Sequence, residues 1–314
     1  MTFRYCTSSQ PHPDMSSTPL AAPLPAPIPA PLPPAAPLDR LRAELDRLDD
    51  AIHDLLMQRA GVVGEVAALR PAGKIAFRPG REAAILRRLR QRHRGPLPPR
   101  LLVRLWRELF AATTALQSDY VVTVCETGPD AQYVQCAREH FGALTPLRAH
   151  RSPAQAIAQV SSGQAVAAVL PMPAEEDAAA TAWWTALLHR DSPRIHIVAR
   201  LPFWAPRSEG APGVQALVVA AAAPDPSGHD RSLIGLELPL EMSRARLSAA
   251  LLAAGLQPGA TILRRDPGAP VAHALVEVAG YLADDDARLV ALPGLLRPPV
   301  VLGAYAVPID GDSP

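Results

Sequence analysis

Three kinds of residue are scarce in this sequence of 314 residues, and each scarcity restricts what the protein can be. The three cysteines, Cys6, Cys125 and Cys136, are odd in number and widely spaced. They argue against a disulfide framework or a cysteine-ligated metal and predict reduced thiols in a cytoplasmic protein. Aromatic residues make up 4% of the chain. Lys74 is the one lysine among 31 basic residues, so arginine supplies almost every cation.

Long apolar runs are also missing. No stretch of 18 apolar residues is free of proline, which predicts that no segment spans a membrane. Residues 19–37 contain nine prolines, so the helical core of a secretory signal cannot form there. Residues 1–37 are predicted to be a disordered proline-rich extension, either a polyproline II spacer or an SH3-type ligand.

What the sequence does contain is an uneven distribution of charge and a long helical pattern. Residues 38–118 carry 16 basic and 9 acidic side chains (+7), whereas residues 119–314 carry 14 and 20 (−6). Apolar residues recur at helical spacing from Leu41 to Leu69, which predicts one helix of about 48 Å. So long an apolar stripe needs a partner helix, most simply from a second copy of the chain. Two shorter helices are predicted over 81–95 and 99–117.

Arginines on these helices are candidates for binding an anion. Arg59 and Arg70 are 11 residues apart and lie on nearly the same helix face, whereas Arg42 is about 25 Å from Arg59 along the axis. Only a second chain could bring Arg42 to the same ligand. The alternatives are ordinary solvated arginines, or a nucleic-acid surface over the arginine-rich residues 85–95. The latter has no interleaved aromatics and no recognised motif, so we expect no nucleic-acid partner.

Two stretches, LRAELDRLDDAIHDLLMQRAGVVGEVAALR and FRPGREAAILRRL, resemble the all-helical chorismate mutase of bifunctional P-proteins. The resemblance covers about 80 residues and implies three helices per chain, intertwined in a homodimer with two shared active sites. It also implies roles for eight residues. Those that bind substrate are Arg42, donated across the dimer, Arg59 and Arg81, which hold the two carboxylates, and Thr113.

The other four residues have catalytic roles by the same resemblance. Glu82 accepts a hydrogen bond from the ring hydroxyl of the substrate, and Gln117 donates to its ether oxygen. Arg70, predicted to sit within rigid helix, falls where the family has its catalytic lysine. Either Arg70 replaces that lysine, or Lys74 reaches in from the following loop. The family's reaction, a pericyclic rearrangement of chorismate to prephenate, implies no metal or cofactor.

The second half of the chain is predicted to be α/β. Strands are expected over 120–127, 165–171 and 194–203, with helices over 129–142 and 152–164. From Asp230 onward a βαββαβ order, ferredoxin-like, includes a helix over 285–296. This half weakly resembles a prephenate dehydratase domain followed by an ACT domain. CETGPDAQY stands at the first dehydratase motif, and GVQALVVAA lacks the catalytic Thr-Arg-Phe triplet.

The fold class expected is therefore α + α/β and multidomain. The predicted parts are the extension 1–37, a helical chorismate mutase domain 38–118, a degenerate dehydratase-like domain 119–210 and an ACT-like domain 211–314. The predicted function is chorismate mutase in phenylalanine and tyrosine biosynthesis. An active bifunctional mutase/dehydratase and a non-catalytic dimerisation protein that regulates the pathway are the alternatives.

Overall fold

The computed structural model describes residues 37–70, 76–205, 207 and 209–311. The predicted extension 1–37 lies outside them apart from its last residue, and Lys74 also lies outside them. Three helices come first along the chain. They are α1 (Pro37–Ala68), α2 (Pro79–Arg92) and α3 (Pro99–Ala115), which confirms the predicted helices.

An α/β region follows, with most of its predicted strands and helices confirmed. Its strands are β1 (Val122–Cys125), β2 (Leu147–His150), β3 (Ala167–Pro171), β4 (His196–Leu201), β5 (Trp204–Ala205), β6 (Ala216–Ala220), β7 (Asp230–Leu238), β8 (Pro258–Arg264), β9 (Ala272–Ala279), β10 (Val300–Ala306) and β11 (Ile309–Asp310). Its α-helices are α4 (Gln132–Phe141), α5 (Pro153–Ser161), α6 (Arg244–Ala253) and α7 (Ala287–Val290). A 3-10 helix covers Trp183–His189.

The helix predicted over 285–296 is wrong in length. Asp286 caps α7 by accepting a hydrogen bond from the backbone N–H of Arg288 at 3.0 Å, but the helix makes only one turn. Pro293 cannot continue a helix, and Gly294 has a φ of +73°.

Nine of the strands form one sheet in the order β2-β1-β3-β6-β4-β10-β7-β9-β8. In the last four, the pairs β10–β7, β7–β9 and β9–β8 are antiparallel, which gives the order 4-1-3-2 within the βαββαβ segment and confirms the ferredoxin-like arrangement. Strand β6 lies between β3 and β4, so the sheet continues across the boundary predicted at residue 210. The division into a dehydratase-like and an ACT-like domain stays a prediction.

One glycine allows the two parts of the sheet to join. Strands β4 and β10 meet in parallel at a single residue pair, Ile197 and Gly303. Gly303 has a φ of +149°, and a Cβ there would lie 2.0 Å from the carbonyl oxygen of Ile197. Only glycine allows so close an approach of two backbones.

The sheet is covered by apolar side chains on both faces. Along β3, Leu170 packs into one core with Trp184, whereas Val169 packs into the other with Phe141. The helices α2 and α3 add a third core, in which Leu86 and Phe110 pack with Phe203 and other side chains near the ends of β4 and β10. The α2–α3 pair is therefore held against the sheet by apolar contacts.

Helix α1 is different, because none of its residues is buried. The chain divides within this helix into two compact units, one ending at Leu56 and the other comprising Met57–Pro314. Large apolar side chains are exposed along it, among them Leu45 and Leu55 at 60% and 64% of their full accessible surface. Within the described residues, no helix is both long and apolar enough to span a membrane.

Candidate active site

Arg59 of α1 and Thr113 of α3 bring the first and third helices together. Nη1 of Arg59 donates to Oγ1 of Thr113 at 3.4 Å, and the guanidinium lies 5.8 Å from the ring centroid of Phe110. Burial lowers the pKa of Arg59, and the charge of Arg81 lowers it further. In the described part of the chain, neither guanidinium is paired with a carboxylate. Two arginines without carboxylate partners whose charges act on each other are suited to binding an anion.

Gln117 lies next to this pair, in the turn that follows α3. Its Nε2 donates to the backbone carbonyl of Thr113 at 2.8 Å, which fixes the side chain against the helix end. Its Oε1 is buried and has no hydrogen-bond partner among the described residues. A buried acceptor without a donor is unfavourable by about 1–3 kcal/mol, so this oxygen is available to a hydrogen-bond donor on a ligand, and the second N–H of Nε2 is available to an acceptor.

Glu82 is held in a buried ion pair rather than in open solvent. Its Oε2 accepts from Nη1 of Arg107 at 2.8 Å, and the side chains keep 12% and 4% of their accessible surface. Burial raises the pKa of Glu82 to about 7, although the nearby Arg107 opposes that shift. Burial likewise lowers the pKa of Arg107. The guanidinium also lies 4.8 Å from the ring centroid of Phe203.

Arg107 was not among the residues predicted for the site, although the spacing of the buried residues of α3 indicates its position. Val103, Arg107, Phe110 and Thr114 follow one another at intervals of four, three and four, and all four are buried. Arg107 therefore lies on the apolar face of α3. An arginine in such a stripe needs a buried anion as partner.

Asp225 is a second residue that sequence reasoning missed, and it fixes the start of α2. Its carboxylate accepts from the backbone N–H groups of Gly80 and Arg81 at 3.3 and 2.9 Å, and from Nη2 of Arg78 at 3.3 Å. A Cβ on Gly80 would lie 2.0 Å from the backbone carbonyl oxygen of Asp225. The glycine of RPGRE is thus required by this contact, which positions Arg81 and Glu82.

The remaining predicted site residues lie in more open surroundings. Arg42 is exposed on α1 and pairs with Asp39 at 3.3 Å. Arg70 is half-buried, and its placement within rigid helix was wrong, because α1 ends at Ala68 and the backbone N–H of Arg70 bonds the carbonyl of Ala67 in a closing turn. Lys74 lies outside the described residues. The roles assigned to all eight residues stay predictions.

The segment at the position of the first dehydratase motif, CETGPDAQY, contains a carboxylate, Glu126, that bonds to backbone N–H groups of the same segment. The carboxylate of Glu126 accepts from the backbone N–H groups of Gly128, Tyr133 and Val134 at 3.2, 3.0 and 3.1 Å. It therefore occupies the N-terminus of α4, where an anionic ligand would otherwise bind. Ala131 has a φ of +51°, a left-handed conformation that favours glycine.

Comparison with known proteins gives a family for the helical part. The sequence profile of a family described as Chorismate mutase type II matches residues 41–118. A bifunctional chorismate mutase/prephenate dehydratase from Stutzerimonas stutzeri is 34% identical over 115 residues, which is 34% of this chain and 31% of the relative. The chain thus spans about a third of the length of that relative.

Two solved structures are similar to the chain at low identity. One, described as GqqA, a novel type of quorum quenching acylases, is 16% identical with a TM-score of 0.45, covering 60% of this chain and 95% of that one. The other, a prephenate dehydratase from Streptococcus mutans, is 14% identical with a TM-score of 0.44, covering 59% and 97%. The helical segment 41–118 is similar in sequence to the type II chorismate mutase family.

Proposed function

We propose that this protein rearranges chorismate to prephenate in aromatic amino acid biosynthesis. The observation that carries the proposal is the half-buried guanidinium of Arg59, which contacts Thr113 at 3.4 Å and has no carboxylate partner among the described residues. The guanidinium of Arg81 likewise has none, and its charge acts on Arg59. A substrate with two carboxylates supplies the anions that these guanidiniums lack.

The reaction depends on how the substrate is positioned, and it needs no reactive side chain. One C–O bond breaks and one C–C bond forms within a single molecule, so no nucleophile or proton carrier takes part. Bidentate contacts from Arg59 and Arg81 hold the two carboxylates so that the ends of the molecule meet. Negative charge develops on the ether oxygen, and the Nε2 group of Gln117 with the cation of Arg70 stabilises it. Donors of this kind are worth about 3–4 kcal/mol each.

Glu82 completes the site as acceptor for the ring hydroxyl. A carboxylate accepts several hydrogen bonds, so Glu82 can bond Arg107 and the substrate at the same time. Arg107 opposes the loss of its charge, because the positive guanidinium favours the ionised form. Arg107 is thus a positioning residue in the proposal.

A second copy of the chain completes each site in this proposal. The exposed apolar side chains of α1 provide the surface for a partner helix, and Arg42 of the second copy reaches the substrate. Chorismate and a homodimer partner are the two partners that we infer, with no nucleic acid and no membrane. The buried free thiols of Cys125 and Cys136 support a cytoplasmic location.

We infer that the α/β region does not dehydrate prephenate. Glu126 fills the N-terminus of α4, and β6, which stands at the catalytic triplet, contains only alanine, leucine and valine. Strand β6 therefore has no acid catalyst, and the N-terminus of α4 has no free site for an anion.

The test is an assay of the purified chain with chorismate, followed by identification of the products by mass spectrometry. We expect prephenate and no enzyme-dependent phenylpyruvate. Arg59→Ala should lower the rate by about 10²–10³-fold, whereas Arg88→Ala, on the exposed side of α2, should leave it unchanged. Chorismate left intact by folded wild-type protein would disprove the mutase proposal. Phenylpyruvate would show an active dehydratase.

A further inference from the structure

A cavity of about 420 Å³ lies between α3, α4 and the segment after β4, and neither Arg59 nor Gln117 lines it. Its volume is in the range of small-molecule sites, about 300–1,000 Å³. The side chains that matter for recognition are Arg100, Arg104, Arg107, His140, Phe203 and Trp204. Of these side chains, only Arg107 also has a part in the proposed mutase site, where it pairs with Glu82.

Two of its cations are without a counter-ion. Arg100 and Arg104 are exposed, four residues apart on the same face of α3, and neither forms an ion pair with a described residue. Like charges at this spacing repel each other on a helix surface. The acidic residue at the cavity, Glu139, is already paired with Arg207. The cavity therefore has a positive charge that a bound anion would neutralise.

Its inner wall contains an unsatisfied histidine. His140 is buried at 7% exposure, and its Nε2 lies 3.4 Å from Nη1 of Arg107. Burial keeps the pKa of His140 well below its ordinary value, and the charge of Arg107 lowers it further, which favours the neutral ring. Since Arg107 can only donate, Nε2 accepts and Nδ1 carries the hydrogen. That Nδ1 is buried and has no partner among the described residues.

The walls also provide aromatic surface in a chain that has little of it. Phe203 and Trp204 are consecutive residues that line the cavity, and Phe203 is buried. Aromatic rings favour flat, apolar ligands through stacking and edge contacts. The arginines favour a carboxylate, which a guanidinium binds with two parallel hydrogen bonds.

From this combination we infer that the cavity between α3 and α4 is a second binding site, specific for a small aromatic carboxylate. The ring packs against Phe203 and Trp204, and the carboxylate bonds Arg100 and Arg104. This site is formed by unpaired cations beside aromatic side chains, and it does not depend on the mutase reaction.

Calorimetric titration of the purified full chain, without chorismate, tests the inference. The probe is 3-phenylpropanoate, with 3-phenylpropanamide as the uncharged analogue and inorganic phosphate as the anion without a ring. We expect the carboxylate to bind once per chain and neither analogue to bind comparably. An Arg100→Gln/Arg104→Gln double variant should weaken binding by about 10- to 100-fold, whereas Arg88→Gln, a matched change on α2, should not.

Arg59→Ala separates this site from the candidate active site. Binding that persists in Arg59→Ala and is lost in the double variant supports the inference. Binding lost in Arg59→Ala and kept in the double variant would assign the ligand to the mutase site and overturn it. The absence of binding by wild type, or equal binding of the amide or of phosphate, would also overturn it. None of these results depends on turnover, so a failure here leaves the mutase proposal to its own assay.

Discussion

Arg107 donates to Glu82 at 2.8 Å in an ion pair that is almost fully removed from solvent, and through it α3 is tied to the start of α2. Removal of one partner of a buried pair leaves the other charge without compensation. The same guanidinium packs over Phe203, so α2, α3 and the end of β4 meet at this residue. The pair therefore links the fold to the proposed catalytic carboxylate.

Arg107→Ala should lower the free energy of unfolding by about 3–5 kcal/mol at a pH where Glu82 is ionised. Urea unfolding measures it, with Arg104→Ala as the exposed control one turn earlier, expected within about 0.5 kcal/mol of wild type. In the double variant Arg107→Met/Glu82→Gln, part of the loss should be recovered, because no buried charge remains. A loss for Arg107→Ala no larger than that of the control would show that the pair is not buried in solution.

The raised pKa of Glu82 should make the free energy of unfolding depend on pH. Burial raises its pKa from 4.5 to about 7, so the folded state holds a proton over that interval that the unfolded state has lost. The stability from this group is complete below the unfolded pKa and is lost as the pH rises through the folded pKa. We expect the difference in unfolding free energy between wild type and Glu82→Gln to fall by about 1–3 kcal/mol between about pH 5 and pH 8.

The contribution of His140 to the pH dependence of stability has the opposite sign to that of Glu82. Its lowered pKa makes its contribution present above its unfolded pKa and lost at lower pH. Because it occurs in both proteins, it cancels in the difference between wild type and Glu82→Gln. A difference that increases with pH would mean that Arg107 outweighs burial and depresses the pKa of Glu82.

Local patterns predicted the elements of this protein, whereas its long-range contacts could not be read from the sequence. The apolar period of α1 and the short apolar runs of the strands are properties of neighbouring residues, and the helix and most of the strands they predict are present in the structure. Strands β4 and β10 are joined at one contact, Gly303 with Ile197, and a single contact of this kind produces no repeating pattern in the sequence. Asp225 and Gly80 are 145 residues apart, so the sequence near either residue does not predict their contact.

The exposed stripe of α1 predicts a dimer that a single charge should disrupt. Leu55 is 64% exposed on this stripe. Burial of one leucine stabilises by about 1.5–3 kcal/mol, and a symmetric dimer buries two. Leu55→Glu should therefore give monomers in light scattering after size-exclusion chromatography, whereas Gln58→Glu, also on α1 and already polar, should not. Activity should fall together with the dimer, because Arg42 would be missing from each site. A fully active monomer would contradict the shared site.

The last prediction concerns the cation at the ether oxygen. Arg70 is half-buried in the turn after α1 and makes no ion pair within the described residues, so its charge is available to substrate. Its backbone N–H is bonded to the carbonyl of Ala67, which restricts the turn even though the helix has ended. A donor held in this way needs little reorganisation as charge develops.

Lys74 has a compact ammonium group and follows Gly73 in the sequence. We therefore expect Arg70→Ala to lower kcat by about 10²–10³-fold. Lys74→Ala should mainly raise KM, since an auxiliary cation assists binding equally in the ground and transition states. Steady-state kinetics on both variants, with Arg88→Ala as the exposed control, separates the two roles. Arg70→Lys should retain more activity than Arg70→Ala if charge is what matters at this position. A large fall in kcat for Lys74→Ala with a near-normal Arg70→Ala would exchange the two assignments and make the one lysine of the chain its catalytic cation.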